Sequence, residues 1–242
     1  GPRIAELAGS ALRGVFRGLL RLRRPRPIHV HGTMFRGTVR WGGPQRRSGI
    51  AWIDSPPPSR ETPVRARLSR SIGLPEALPD ILGLALRVTV PEGGTADVEF
   101  ASTGRIFPLR FALLPVLRAE RARFGILLPY RGRQGSVLLS ARTLEGGPSS
   151  SSWQLVLSTA TLRGRWHAFA IVALRRDPDQ DDQPRFDAGR RLLPGARTAA
   201  WVRAVRQPSY DAVQRSSEES CSSSTERRAS QPTCDHGRIE VD

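Results

Sequence analysis

The amino-acid sequence predicts an α+β fold in which an antiparallel β-barrel is flanked by helices. Two observations support this prediction. Between residues 28 and 174, short stretches that alternate apolar and polar residues are separated by turn residues, which is typical of an antiparallel barrel or sandwich. Near the two ends of the chain, apolar residues instead recur at helical spacing. We therefore expect one barrel with helices at its borders.

The first element is predicted to be an amphipathic helix. Between Ile4 and Leu22 an apolar stripe faces a stripe formed by Arg13, Arg17 and Arg21, and Pro25 ends the pattern. Such a helix usually docks its apolar side on a neighbouring domain, although a basic amphipathic helix is also compatible with a membrane surface. We treat residues 1–25 as this N-terminal helix.

The barrel domain is predicted to span residues 26–215. A pair of stretches near its end, Trp153–Leu162 and Trp166–Leu174, is typical of a β-hairpin with a short turn. Leu109–Phe124 has helical spacing, with a break expected at Pro115. Further strands are predicted at Ile28–Trp41, Val64–Ser71, Leu84–Val90 and Ala96–Ala101, and a closing helix at Thr198–Arg215.

The last segment, residues 216–242, is rich in serine and poor in large apolar residues. Such a segment buries too little apolar surface to offset the entropy lost on ordering, so we predict a disordered tail. Both cysteines, Cys221 and Cys234, fall in it, which excludes a disulfide framework for the barrel.

Charge composition is strongly basic, with 38 basic residues against 22 acidic ones and a formal charge of +16. Every basic residue is arginine, and the chain contains no lysine or asparagine, which is typical of GC-rich coding. The arginines are scattered and no aromatic-interleaved binding motif accompanies them, so we expect no specific nucleic-acid partner. No apolar run approaches 18 residues, which excludes a membrane-spanning helix, and we expect a cytoplasmic protein.

Five short blocks carry a resemblance to a known family. Arg26–Gly32 contains an arginine, a histidine three residues later and a glycine after three more, as in the distal segment of haem catalases. Ala66–Ser69 is similar to the family's arginine-phenylalanine-serine strand, and Pro79–Arg87 to its aspartate, glycine and basic run. Ala96–Val98 is similar to the following aspartate-bearing strand, and Arg206–Tyr210 resembles the proximal motif.

The resemblance covers residues 26–111 and, more loosely, 198–215. It is closest to small, divergent catalase-like proteins of high-GC bacteria. What it implies is a catalase-type antiparallel barrel with flanking helices, a haem b cofactor, and hydrogen peroxide or an organic hydroperoxide as substrate. It also implies a homo-oligomer.

The same resemblance implies roles for individual residues. Tyr210 would be the iron ligand, and Arg206, one helical turn earlier, would stabilise its phenolate. Arg26 and Arg67 would bind the haem propionates, because guanidinium groups are forked donors to carboxylates. Arg215 is a substitute for a later propionate arginine of the family, whose position here is Ser217, and Phe107 would cover the haem with an aromatic ring.

On the distal side, His29 would move a proton between the peroxide oxygens, and Ser69 would orient it. His31 is the alternative, but in a regular strand it points to the other face. Catalases hold peroxide with a distal asparagine that this chain lacks. The aligned region is Ala101–Thr103, where Ser102 or Thr103 offers a hydroxyl, so a peroxidase-like activity is expected rather than rapid disproportionation.

Two other functions are compatible with the sequence. A degenerate catalase-fold protein without haem would act as a structural or interaction module, which the missing asparagine favours. A basic nucleic-acid or membrane-surface protein would follow from the charge and the first helix.

Overall fold

The computed structural model describes residues 32–42, 47–90, 93–180 and 184–198. The predicted first helix and the serine-rich tail lie outside these ranges. The helix predicted at Thr198–Arg215 also lies outside them, except for Thr198, which belongs to a short strand.

Ten strands form one antiparallel sheet in the described residues, in the order β10-β6-β7-β5-β4-β3-β2-β1-β9-β8. A further pairing of β7 with β8 closes eight of them, β7-β5-β4-β3-β2-β1-β9-β8, into a barrel. The strands are β1 (Gly32–Trp41), β2 (Glu61–Arg70), β3 (Leu82–Thr89), β4 (Thr95–Ser102), β5 (Arg123–Gly125), β6 (Tyr130–Gly132), β7 (Gly135–Gly146), β8 (Trp153–Ala160), β9 (His167–Arg176) and β10 (Arg197–Thr198). The predicted barrel is therefore confirmed.

Side chains fill the barrel interior. One side chain in two along β3, from Leu82 to Val88, is buried, as expected for strands with one face towards a core. At one end of the core Trp52 contacts Trp41 and Phe169 edge to face, with ring centroids 5.1 and 5.9 Å apart. A void beside Trp52 and Phe100 has room for about one water molecule. This void is too small for a cofactor.

Helical structure is sparse in the described residues. It consists of α1 (Ala51–Asp54) and two 3₁₀ turns, Leu109–Phe111 and Ala119–Arg121. The continuous helix predicted over Leu109–Phe124 is wrong, because only the two short 3₁₀ turns are helical and backbone pairing holds residues between them extended. Leu113 pairs with Thr103, and Val116 pairs with Asp80. Within the described ranges, no helix is long and apolar enough to cross a membrane.

Candidate functional site

Strand register brings five small residues into one row on the outer face of the barrel. Gly32 of β1 lies opposite Ser69 of β2, Ser69 opposite Gly83 of β3, Gly83 opposite Ala101 of β4, and Ala101 opposite Gly125 of β5. Residues in register share a face, and the buried neighbours Leu82 and Leu84 point the other way, into the core. We call these five residues the small-residue row.

Arg67 lies beside this row on the same face, two residues before Ser69 on β2. Its side chain leans across Gly32, since a Cβ built at Gly32 would come within 2.4 Å of Arg67 Nε. The guanidinium is half-buried, and this burial lowers the pKa of Arg67 because desolvation disfavours the charged form. Gly32 is thus the residue whose missing side chain leaves room for Arg67.

Ser69 is buried, and its hydroxyl makes a long hydrogen bond to the carbonyl of Gly83, with Oγ 3.4 Å from the oxygen. A hydroxyl has one proton to donate and two lone pairs that accept. With the proton directed at Gly83, the oxygen can still accept a hydrogen bond from an N–H group. The structure therefore brings two of the sequence-predicted site residues, Arg67 and Ser69, together.

Ser102 points away from this group. Its neighbour Ala101 lies in the small-residue row, so Ser102 faces the opposite side of β4, where it is fully buried. The Ser102 hydroxyl donates to the carbonyl of Leu114, at 2.6 Å, and accepts from the amide of Leu82, at 3.1 Å. Its only proton is thereby committed to the main chain. Ala101, with no polar group, is in the row that contains Ser69, and Thr103, the other hydroxyl that the sequence offers, lies beside the row, since a Cβ built at Gly125 would come within 2.5 Å of Thr103 Oγ1.

Phe107 lies in the loop that follows β4. Its ring contacts Phe111 edge to face, with centroids 6.2 Å apart, and the guanidinium of Arg163 stands 4.8 Å from the ring centre. These contacts connect Phe107 with the turn between β8 and β9. The remaining predicted site residues, Arg26, His29, Arg206, Tyr210 and Arg215, lie outside the described residues.

Two of the family-like blocks have structural roles. Asp80, fully buried, accepts hydrogen bonds from the amides of Ile72, Gly73 and Leu74 at 2.9 to 3.1 Å, which fixes the connection between β2 and β3. Asp97, also fully buried, binds both Nε and Nη2 of Arg87 at 2.7 Å. Paired, forked contacts of this kind are the strong form of a carboxylate–guanidinium interaction. These residues therefore hold the strands that carry the site.

Asp97 also anchors the segment that follows β9. Its carboxylate accepts a hydrogen bond from the amide of Asp187 at 2.7 Å, and its own amide donates to the carbonyl of Arg191 at 2.8 Å. The ring of Phe186 lies 5.0 Å from the Arg87 guanidinium carbon. The connection towards β10 is thus attached to the outer face of β3 and β4.

In the part of the chain that the structure describes, histidine, cysteine and carboxylate side chains form no group of three that could hold a metal ion. A protein-ligated metal centre therefore has no support from these residues. An axial ligand for a haem iron requires a single side chain, and the predicted one, Tyr210, lies outside the described ranges.

The fold of the barrel is similar to that of known structures. The chain is similar to a fungal catalase, with a TM-score of 0.52 at 15% identity over 79% of this chain and 58% of that one. It is also similar to catalase A from Saccharomyces cerevisiae, with a TM-score of 0.52 at 14% identity over 84% of this chain and 63% of that one. The fold is catalase-like.

A bacterial catalase is similar to the same extent, with a TM-score of 0.52 at 12% identity over 83% of this chain and 58% of that chain. The chain thus spans 58% to 63% of the length of these three catalases. No family model matches the sequence, and no curated protein matches it. At these identities the likeness concerns the fold, which confirms the fold implied by the sequence resemblance.

Proposed function

We propose that this protein is a haem-dependent oxidoreductase, related to the catalases, that reduces hydrogen peroxide or an organic hydroperoxide. One observation carries the proposal. On the outer face of a catalase-like barrel, the half-buried guanidinium of Arg67 lies beside a row of small residues that contains the buried hydroxyl of Ser69, and the sequence resemblance assigns these two positions to haem binding and to the distal side. A cytoplasmic location and a homo-oligomeric state belong to the same proposal.

The described residues fit a haem group. A flat macrocycle requires a surface with few projecting side chains, and the small-residue row offers glycine or alanine at four of its five positions. The side chains of Arg67 and Thr103 lie beside the two ends of the row, at Gly32 and Gly125. A propionate requires a forked cationic donor, and Arg67 lies beside that row with its cationic form destabilised by burial. An anionic carboxylate next to Arg67 would offset that cost, because an opposite charge favours the ionised form.

When bound, haem would supply the iron centre at which the peroxide O–O bond is cleaved, with electrons restored by an external reductant. Arg67, together with Arg26 and Arg215, would hold the propionates. Tyr210 would bind the iron through its phenolate, and Arg206 would stabilise that phenolate, since the ordinary phenol pKa of about 10 disfavours ionisation at neutral pH. Phe107 would contribute aromatic cover.

On the distal side, His29 would take a proton from the inner peroxide oxygen and return it to the outer one. Ser69 would accept a hydrogen bond from an imidazole N–H, which fixes the ring and leaves the other nitrogen free to act as the base. The hydroxyl of Ser102 is committed to Leu82 and Leu114, and Ala101 offers the row no polar group. The hydroxyl of Thr103, beside Gly125, would then be the one that meets the peroxide in place of an amide. Slow peroxidase-type turnover follows from this arrangement.

The test combines spectroscopy with turnover. The full chain purified with haem should show a tyrosinate-type ferric spectrum that disappears in Tyr210→Phe. Ser69→Ala should keep that spectrum while peroxide-dependent oxidation of a reducing dye falls by about tenfold, the factor of one lost orienting hydrogen bond. Ser136→Ala, an exposed serine of β7, is the matched control. An unchanged spectrum in Tyr210→Phe would contradict the assignment of Tyr210 as the iron ligand. Unchanged turnover in Ser69→Ala would contradict the role of Ser69 in orienting His29.

A second candidate is a catalase-fold module that binds no haem and acts through its surface. Ala101 favours it, because the distal amide of the catalases is missing at the position where the structure would need it. A titration with haem that shows no saturable binding to a folded protein would select this function over the first.

A further inference from the structure

Two loops at the same end of the barrel present four large apolar side chains to solvent. One loop, residues 105–111, follows β4, and the other, residues 161–166, connects β8 and β9. The exposed fractions are 61% for Ile106, 43% for Phe107, 47% for Leu109 and 40% for Leu162. We call these two loops the loop pair. Contiguous exposed apolar groups on a folded protein indicate a surface that contacts a partner.

Arg110 binds the two loops together. Its side chain is buried, and Nη1 donates to the carbonyls of Thr161, Leu162 and Gly164 at 3.1, 3.3 and 3.2 Å. The Arg110 guanidinium carbon also lies 5.1 Å from the ring centre of Trp166. Burial lowers the pKa of Arg110, and such a desolvated cation is retained because the carbonyls bind it.

A second contact fixes the same arrangement from the other side. The indole N–H of Trp166 donates to the carbonyl of Arg105 at 3.1 Å. These contacts hold the two loops in one arrangement, and in that arrangement the apolar side chains are exposed to solvent.

The charge around this surface has one sign. Arg105, Arg163 and Arg165 are exposed on the two loops, and Arg163 covers the ring of Phe107. Neither residues 101–118 nor residues 146–176 contain an aspartate or a glutamate. The partner that complements the loop pair is thus anionic where it meets the arginines and apolar where it meets Ile106 and Leu109.

An anionic phospholipid surface has both properties. Aliphatic and aromatic side chains insert at the boundary between headgroups and acyl chains, while arginines reach phosphate groups with their heads and keep their stems in the apolar layer. A nucleic acid would use the arginines and the aromatic ring but would gain little from exposed isoleucine and leucine. We propose that the loop pair binds the surface of anionic membranes, with Ile106, Leu109 and Leu162 inserted and the arginines against lipid phosphates.

The experiment is a co-sedimentation of the full chain with vesicles. Vesicles of phosphatidylcholine with 30% phosphatidylglycerol should bind it, and vesicles of phosphatidylcholine alone should bind it much more weakly. Ile106→Ser combined with Leu109→Ser should lower the affinity for anionic vesicles by about tenfold, because two aliphatic side chains that would be partly inserted into the membrane are lost. Arg163→Gln should lower it by about fivefold, the factor of one arginine near an anionic surface.

Leu144→Ser is the matched control. Leu144 is 52% exposed on β7, close to the start of β8 in the register, whereas the loop pair follows the end of β8. Its removal should leave vesicle binding unchanged. Denaturation midpoints of all variants verify that they are folded.

Three results would overturn the proposal. The first is the absence of binding to anionic vesicles. The second is equal binding by the Ile106→Ser, Leu109→Ser variant, which would show adsorption by charge alone. The third is a concentration-dependent dimer that this variant abolishes, measured by light scattering, which would make the loop pair a contact between copies of the chain.

Discussion

Replacing Ser102 by alanine separates a structural hydroxyl from a catalytic one. The hydroxyl joins β3 to the segment after β4, because it accepts from the amide of Leu82 and donates to the carbonyl of Leu114. The Ser102→Ala variant would leave a buried donor and a buried acceptor without these partners. At about 1 to 3 kcal/mol for each of the two buried groups left unsatisfied, we expect a loss of about 2 to 6 kcal/mol in the free energy of unfolding.

The assay is urea denaturation followed by tryptophan fluorescence, since Trp41, Trp52 and Trp153 are buried in the core. For a protein of this size a loss of that magnitude lowers the melting temperature by about 4 to 24 °C, at about 2 to 4 °C per kcal/mol. Haem binding at a temperature where the variant is folded should be unchanged. Ser136→Ala, on an exposed position of β7, should change stability by less than about 0.5 kcal/mol.

Stability within about 0.5 kcal/mol of the unchanged protein, together with a large loss of peroxide turnover, would refute this reasoning. Such a result would mean that the Ser102 hydroxyl meets substrate and that the two main-chain hydrogen bonds contribute nothing.

Two further changes test the outer face. Ala101→Asn should raise the rate of hydrogen peroxide consumption by the haem-loaded protein at least severalfold, because it places an amide in the row that contains Ser69 and Gly83. The rate is measured as oxygen release. A lower rate with haem still bound would contradict the position assigned to Ala101. Arg123→Gln should keep or raise stability. Burial lowers the pKa of Arg123, and the neighbouring charges of Arg105, Arg142 and Arg110 lower it to a smaller extent. The charged guanidinium therefore destabilises the folded protein at neutral pH, and this cost is relieved only as the pH rises through the lowered folded-state pKa. Added salt should stabilise the unchanged protein more than the variant, and an equal salt response in chemical denaturation would exclude the repulsion.

Several strands could be predicted from the sequence because their burial alternates. In β3, each second residue from Leu82 to Val88 faces the filled core, and the apolar spacing of two is visible in the chain. The strand β7 was not predicted, because Val137 to Ala141 are all buried and only Ser140 among them is polar, so apolar and polar residues do not alternate there. The segment 109–124 has helical spacing, yet its pairing with Thr103 and Asp80 depends on residues distant in sequence.

The site shows the same division. Arg67 and Ser69 could be predicted to lie on the same face, because residues two apart on a strand share a face whichever strands are its neighbours. The choice between Ala101 and Ser102 could not, because it depends on the register of β4 against β3. The need for glycine at position 32 could not be predicted either, because it depends on the direction in which the Arg67 side chain extends, and no local sequence pattern determines that direction.

The most direct test of a haem on the outer face is a spectroscopic haem titration of the full chain and three variants. The unchanged protein should bind haem saturably, and Arg67→Leu should bind about 10- to 100-fold more weakly through the loss of a charge-assisted hydrogen bond. Gly32→Ala should weaken binding in the same direction while keeping the barrel folded, because the added Cβ displaces Arg67. Arg36→Leu, exposed on the same face of β1, should bind as the unchanged protein does. Equal affinities for all four proteins, or no saturable binding by any, would contradict a haem at the small-residue row.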